Sequence, residues 1–294
     1  MKRQEVRLLA AGADAALLAV AGALRTRVFV DGQGVDPLVE ADGLDAHPGT
    51  THAVALSPAG DVLGTGRLVD PGGVVAAGRL GRMAVEPAAR GAGVGAALLV
   101  ELMRAAADRG LARVELHAQV GARSLYARAG FAAYGRMFVE QGLEHVAMAS
   151  DLLPGLRAVS DDDAAAVQAL IGGCWAEYPG CVLDIDGEEP WMRAPATGFG
   201  GSLWVLGGAL SVQACVGVRG EELKSLYVVA SARGRGWGRV LVRLAERAGA
   251  RRLWTDSRFT DAHRLYARLG WGRTGATREL HDLSATTELE FVRR

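Results

Sequence analysis

Apolar and polar positions alternate, or recur at helical spacing, along two successive stretches of the chain, and the elements they predict come in the same order in each. Val6 to Leu9 reads as a short strand, and Leu17, Leu18, Ala21 and Leu24 fall on one face of a helix over 14–24. Thr51 to Ser57, Val62 to Val69 and Arg79 to Val85 read as consecutive strands, with Pro58-Ala59-Gly60-Asp61 and Pro71-Gly72-Gly73 as turns. That run predicts the start of an antiparallel sheet. A helix over 96–109, stopped by Gly110, leads to a strand over 113–117, a strand-helix-strand unit expected to be a right-handed parallel crossover. A helix over 122–129 then stops at Gly130, and strands over 137–140 and 144–149 close the pattern.

The second stretch opens alike, with a strand over 156–159, Ser160 as helix N-cap and a helix over 164–171. Pro154-Gly155 reads as the linker before it. A helix over 239–248, a strand over 252–255, a helix over 261–269 and strands near 278–283 and 288–292 follow in the same order. Residues 178–201, rich in Pro, Gly and acidic side chains, read as a long loop. Two domains are predicted, 1–152 and 153–294. Each is an α/β fold of the α+β type, a mixed and mostly antiparallel sheet flanked by helices.

A motif pair sharpens the repeat. Met83-Ala84-Val85 runs into Arg90-Gly91-Ala92-Gly93-Val94-Gly95-Ala96, and Leu226-Tyr227-Val228 runs into Arg233-Gly234-Arg235-Gly236-Trp237-Gly238-Arg239. Downstream stand Leu125-Tyr126-Ala127-Arg128-Ala129-Gly130-Phe131 and Leu265-Tyr266-Ala267-Arg268-Leu269-Gly270-Trp271. Two signals in one order at matching spacing mark an internal duplication. In both copies a strand enters a glycine turn that opens a helix, so the amides of residues 91–96 and 234–239 are expected to point outward. Free N–H groups and the helix dipole there favour a phosphate or diphosphate. Gly91-x-Gly93-x-x-Ala96 formally satisfies the dinucleotide fingerprint, but Glu86 to Arg90 separate it from the strand, and His117-Ala118-Gln119 stands where an acidic ribose ligand belongs.

Composition narrows the partner. Lys plus Arg and Asp plus Glu both number 33, so no net basic field exists to hold nucleic acid or an anionic membrane. A small-molecule partner is expected. Hydrophobic residues make up 50% and charged residues 22%, enough for two cores. The three cysteines, Cys174, Cys181 and Cys215, form no C-x-x-C pair, which fits a reduced cytoplasm. The start Met1-Lys2-Arg3 resembles a leader, but Glu5, Arg7 and Asp14 interrupt the apolar run behind it. Neither export nor membrane insertion is expected.

An apolar strand, an Arg-x-x-Gly-x-Gly helix start and a Leu-Tyr-x-x-x-Gly-aromatic segment resemble the GNAT superfamily of acyl-CoA N-acyltransferases, in both halves. The first half resembles its ElaA/YjcF-like branch, through Leu24-Arg25-Thr26-Arg27-Val28-Phe29-Val30, Asp42-Gly43-Leu44-Asp45, Gly64-Thr65-Gly66-Arg67-Leu68, Leu116-His117-Ala118-Gln119 and Phe138-Val139-Glu140. The resemblance implies acetyl-CoA or another acyl-CoA, its diphosphate on the glycine turns and its pantetheine arm pairing like an added strand with 83–85 and 226–228. It also implies two halves packed as a pseudo-dimer. An Asn common in the family seven residues before the tyrosine is replaced here by Gln119 and Phe259.

Transfer from a thioester to an amine needs a neutral amine, a stabilised oxyanion and a proton for the departing thiolate. Tyr126 and Tyr266 match the family's general acid. Glu115 and His117 share a strand face by period two and are candidate bases. Asp256 is the candidate at the matching strand end of the second half, with His263, Glu279 and His281 as others. Glu140 and His145 flank the last hairpin of the first half and are assigned to the acceptor, with Glu40 and Asp42 nearby. Acidic residues there point to a cationic amine. No cluster has metal-ligand spacing and no nucleophile elbow appears, so direct transfer without a metal is expected. The alternative is that one or both halves bind acyl-CoA without catalysis.

Overall fold

A computed structural model describes residues 4–208 and 211–294. Met1, Lys2 and Arg3, read above as leader-like, lie outside the described residues. The chain divides into two compact units, Met1–Leu152 and Leu153–Arg294.

The first unit runs β1 (Glu5–Ala10), α1 (Ala15–Arg25), α2 (Pro37–Glu40), β2 (Thr50–Leu56), β3 (Val62–Val69), β4 (Ala77–Val85), α3 (Val94–Asp108), β5 (Arg113–Gln119), α4 (Arg123–Arg128), β6 (Ala132–Glu140) and β7 (Leu143–Asp151). The second runs β8 (Leu156–Ala158), α5 (Ala164–Trp175), α6 (Pro195–Gly198), β9 (Ser202–Gly208), β10 (Ser211–Arg219), β11 (Glu222–Val228), α7 (Trp237–Arg247), β12 (Arg252–Asp256), α8 (Thr260–Arg268), β13 (Trp271–Glu279) and β14 (Thr287–Arg293).

Each unit holds a seven-stranded mixed sheet, ordered β1-β2-β3-β4-β5-β7-β6 and, equivalently, β8-β9-β10-β11-β12-β14-β13. One pair in each is parallel, β4 with β5 and β11 with β12. Alternation places successive side chains on opposite faces. In β5, Val114, Leu116 and Ala118 join Leu98, Leu99 and Leu102 of α3 in the main core, leaving Glu115, His117 and Gln119 on the other face. On that opposite face α1 covers the sheet through Ala21 against Val54 and Leu56, and Leu24 against Ala84. Gly66 admits α3 to the sheet: a Cβ there would lie 2.4 Å from Met83 Sδ and 2.9 Å from Leu102 Cδ1. In the second unit α5 buries Val167, Leu170 and Ile171 against Val205 and Cys215.

Three expectations need correction. Helices α3 and α7 begin at Val94 and Trp237, two residues earlier than read, because Gly93 and Gly236 take left-handed φ of 83° and 84° and cap them. The strand placed near 278–283 ends at Glu279; beyond it Thr286 N–H bonds the Asp282 carboxylate and Ala285 has φ 46°, a turn. The loop over 178–201 contains a short 3-10 turn, Pro190–Arg193, and α6, whose Ala196 and Thr197 amides donate to Asp161 at 2.8 and 3.1 Å. Proline at each first turn costs no hydrogen bond there.

Candidate active site

The parallel pair in each sheet opens after a few residues. β4 meets β5 from Ala77↔Arg113 to Arg79↔Glu115, after which Ala84 and Val85 pair only with Thr65 and Gly64 of β3. β11 meets β12 at Glu222↔Arg252 and Leu223↔Leu253, after which Tyr227 and Val228 pair only with Cys215 and Ala214 of β10. The opening starts at a bulge in both copies. Arg82 (φ 53°) and Ser225 (φ 52°) are left-handed, although neither is glycine. The free strand edges of 83–85 and 226–228 are therefore templates for an extended group.

Each free edge leads into a glycine turn. Arg90 Nε donates to Val85 C=O at 3.3 Å, and Arg233 Nε to Val228 C=O at 3.0 Å, which folds both guanidinium groups back over the strand end. Gly91 and Gly234 have φ of 78° and 79°. Among the described residues the amides of Gly91, Gly93, Val94, Gly95 and Ala96 meet no acceptor, and neither do those of Trp237 and Gly238. Two amides counted as outward in the sequence are used internally: Ala92 donates to Ala89 at 3.3 Å and Arg239 to Gly236 at 3.1 Å.

Tyr126 and Tyr266 are buried in α4 and α8, against Phe131 and against Trp271 and Phe291. Burial pushes the Tyr126 phenol up to about 12 and raises Tyr266 further. Neither hydroxyl bonds another described residue, and neither is a sealed orphan. By contrast Tyr227 OH accepts from Trp175 Nε1 at 2.8 Å.

On the opposite face of the first sheet, His117 Nδ1 lies 2.9 Å from Glu140 Oε2, leaving Nε2 without a partner among the described residues. Phe138 meets His117 edge-on at 4.8 Å and stacks on His145 at 6.0 Å. Gln119 pairs in register with His145, and its side chain donates to Gln33 Oε1 at 2.9 Å. His117, Gln119, Phe138, Glu140 and His145 thus form one face beside the opening. His145 Nδ1 is tied to Leu143 C=O at 2.9 Å. Glu115 sits where β4 and β5 still pair and is held by Arg113 at 2.7 Å, which also holds Asp151.

The second unit differs. Register places Trp254, not Asp256, where His117 stands: Arg252 opposes Glu222 as Glu115 opposes Arg79, and Asp256 opposes Glu288 as Gln119 opposes His145. Arg278 lies over the Trp254 ring at 4.5 Å. Asp256 is buried and gripped by Arg258 through Nε at 2.9 Å and Nη2 at 2.5 Å. His263 Nε2 lies 3.0 Å from Asp256 C=O, and burial lowers its pKa. Glu279 and His281 are exposed at and beyond the end of β13. Phe259 packs on Tyr178 at 4.8 Å and Trp175 at 6.5 Å, not as a polar counterpart of Gln119.

One cluster escaped the sequence reading. Arg25 bonds Glu40 and Asp45, Arg67 bonds Asp42 and Asp45, and Arg82 bonds Glu40 and Asp42, all at 2.5–3.0 Å. Glu40 and Asp42, offered above for a cationic acceptor, are consumed in this network. Burial alone would raise Asp42, but Arg67, the Leu44 amide and Arg82 together bring it down to about 2. The signal was present as arginines inside apolar runs at 25 and 67. Among the described residues no group of His, Cys, Asp or Glu has metal-binding geometry. No helix among them is long and apolar enough to cross a membrane.

The acetyltransferase (GNAT) domain family matches residues 38–152 and again residues 200–272. A UPF0039 protein of Mycobacterium tuberculosis is 35% identical over 133 residues, 45% of this chain and 81% of that protein. An acyl-CoA N-acyltransferase structure from Pseudomonas aeruginosa is 32% identical, with TM-score 0.45, covering 50% of this chain and 99% of its own. Escherichia coli ElaA is 24% identical, with TM-score 0.46, covering 51% and 100%. The chain belongs to the GNAT acetyltransferase family, with two such domains in tandem. Acyl transfer is the activity that this membership assigns it.

Proposed function

We propose that the protein is an acyl-CoA-dependent N-acyltransferase that moves an acetyl or other acyl group directly to a primary amine of a small molecule or peptide, and that the first unit performs the transfer. The observation that carries this is the free edge at Met83, Ala84 and Val85 running into the unpartnered amides of Gly91 and of Gly93 to Ala96. An extended amide-bearing arm ending in a diphosphate fits that combination of strand edge and helix start. Arg90 and Gln119 lie along the same path.

Acyl-CoA, when bound, would supply an acyl thioester whose acyl group passes to the amine while the coenzyme leaves as a thiolate. Tyr126 holds a proton on Oη that burial keeps in place, ready for donation to that leaving group. His117 presents Nε2 beside the opening as the base, acting directly or through water on the amine, with Glu140 fixing the ring through Nδ1. Glu140 is thereby a positioning residue, while Phe138 and His145 wall the acceptor side. Glu115, held by Arg113, keeps an electrostatic role at the strand junction.

The alternative of a non-catalytic acyl-CoA-binding half is favoured by one observation in the second unit, the tryptophan at 254 in the place of His117. The test is release of free thiol from acetyl-CoA on incubation with a panel of primary amines. Amine-dependent release that falls in His117→Gln and Tyr126→Phe supports the reading. Tight acetyl-CoA binding without release for any amine would leave a binding protein.

A further inference from the structure

The two glycine turns carry the same arginine in the same place but different neighbours. Arg90 and Arg233 are both anchored through Nε on the last carbonyl of their strand. Beyond that anchor Arg90 meets no carboxylate among the described residues, whereas Arg233 is clamped by both oxygens of Glu177, Nη1 to Oε2 at 2.5 Å and Nη2 to Oε1 at 2.7 Å. Glu177 stands two residues past the end of α5. The corresponding position, two residues past α1, is Arg27, whose Nη2 bonds Glu86 at 3.1 Å. The sign of the side chain at this one position is thus reversed between the units, although Arg27 is itself paired with Glu86.

We infer that Glu177 is the residue that decides which turn takes the cofactor: it occupies the Arg233 fork in the second unit, so that acyl-CoA loads on the first. This rests on the reading of acyl-CoA as the ligand of these turns. A bidentate carboxylate satisfies the guanidinium edge that a phosphate would use. A diphosphate arriving there must displace Glu177, and then keeps that carboxylate as a like-charged neighbour. In the first unit no such exchange is needed, since Arg27 at the counted position carries no carboxylate and is already paired with Glu86.

The test is calorimetric titration of the full chain with acetyl-CoA. The wild type should bind one equivalent tightly, with any second site weaker by about tenfold or more, the size of one lost charge-assisted pair. Glu177→Gln should strengthen that second site about tenfold, Glu177→Arg at least as much, and Arg233→Gln should abolish the gain in the double variant. Arg90→Gln should weaken the first site in every background. Two equal sites in the wild type, or one site that stays one in both natively folded Glu177 variants, would overturn the inference while leaving the cofactor reading intact. No acetyl-CoA binding by any variant would instead overturn the cofactor reading and the inference with it.

Discussion

Leu265 packs its Cδ2 so close to the backbone of Gly238 that a Cβ there would lie 3.2 Å away, and Leu125 stands over Gly95 at 3.4 Å in the same way. The glycine turn and the downstream Leu-Tyr segment, separate signals in the sequence, are therefore two sides of one contact. Gly95→Ala should raise stability by up to about 1 kcal/mol, the helix preference of alanine over glycine, because 3.4 Å is an ordinary contact. Gly238→Ala should gain less, because Leu265 must give way. Urea midpoints of the two variants decide this; Gly238→Ala proving the more stabilising would contradict the packing argument.

Tyr126 has no hydrogen-bond partner among the described residues to lose. Tyr126→Phe should therefore change stability by no more than about 0.5 kcal/mol, as for a substitution that breaks no contact. Acyl transfer should nonetheless fall about 100-fold, the usual contribution of a positioned proton donor. Tyr266→Phe is structurally equivalent and should leave transfer nearly unchanged if the first unit performs it. Steady-state rates of the two variants separate a proton donor from a core aromatic. Equal losses would place chemistry in both units.

Acid should unfold the second unit through Asp163. Its carboxylate is sealed, accepts from two Arg157 nitrogens at 2.6 and 2.7 Å and from the Ser160 amide at 2.8 Å, and is lowered to about 2, chiefly by Arg157. A depressed acid contributes stability above its unfolded value near 3.8 that is lost as pH falls toward 2. The amount is about 2 kcal/mol. At the other end, Tyr126, raised to about 12, should cost stability as pH rises from 10, where the unfolded phenol ionises, toward 12. Urea midpoints between pH 2 and 11 test both limbs. Asp163→Asn should make the acid limb shallower, with Asp42 still contributing, and Tyr126→Phe the alkaline one, with Tyr266 still contributing.

What was legible in the sequence followed from local chemistry. The glycines of 91–93 and 234–236 mark a turn opening a helix, though not the residue that caps it, and the alternation in β5 separates Val114, Leu116 and Ala118 from Glu115 and His117 without any tertiary information. What was hidden depends on long-range pairing. Asp256 looked like the counterpart of His117 because it stands at the end of the matching strand, just before the β12–α8 connection. The strand register shows that this connection shifts the offset, since Arg252 is level with Glu115 while Tyr266 remains level with Tyr126. The helical turns inside 178–201 depend on Asp161, distant in sequence, to receive the α6 amides.

The hidden feature with the largest consequence is the bulge at Arg82 and Ser225, since neither residue type announces a positive φ. Arg82 is held there by its side chain, which reaches Val39 C=O at 2.6 Å and Glu40 Oε2 at 2.8 Å. Arg82→Ala and Arg82→Gly lose the same contacts, so their difference isolates the backbone. In an ordinary strand the glycine variant is the weaker by about 0.5–1 kcal/mol. Here the order should invert, with Arg82→Gly more stable by about 1 kcal/mol because the left-handed conformation no longer opposes a Cβ. Ser225→Gly should likewise stabilise the second unit by up to about 1 kcal/mol. Arg82→Val, a β-branched residue that resists positive φ, should flatten the bulge and remove the free edge. It should therefore lose acetyl-CoA binding, while Arg82→Gly retains it. Calorimetry on folded variants measures both, and a valine variant that binds like the wild type would show that the bulge does not hold the opening.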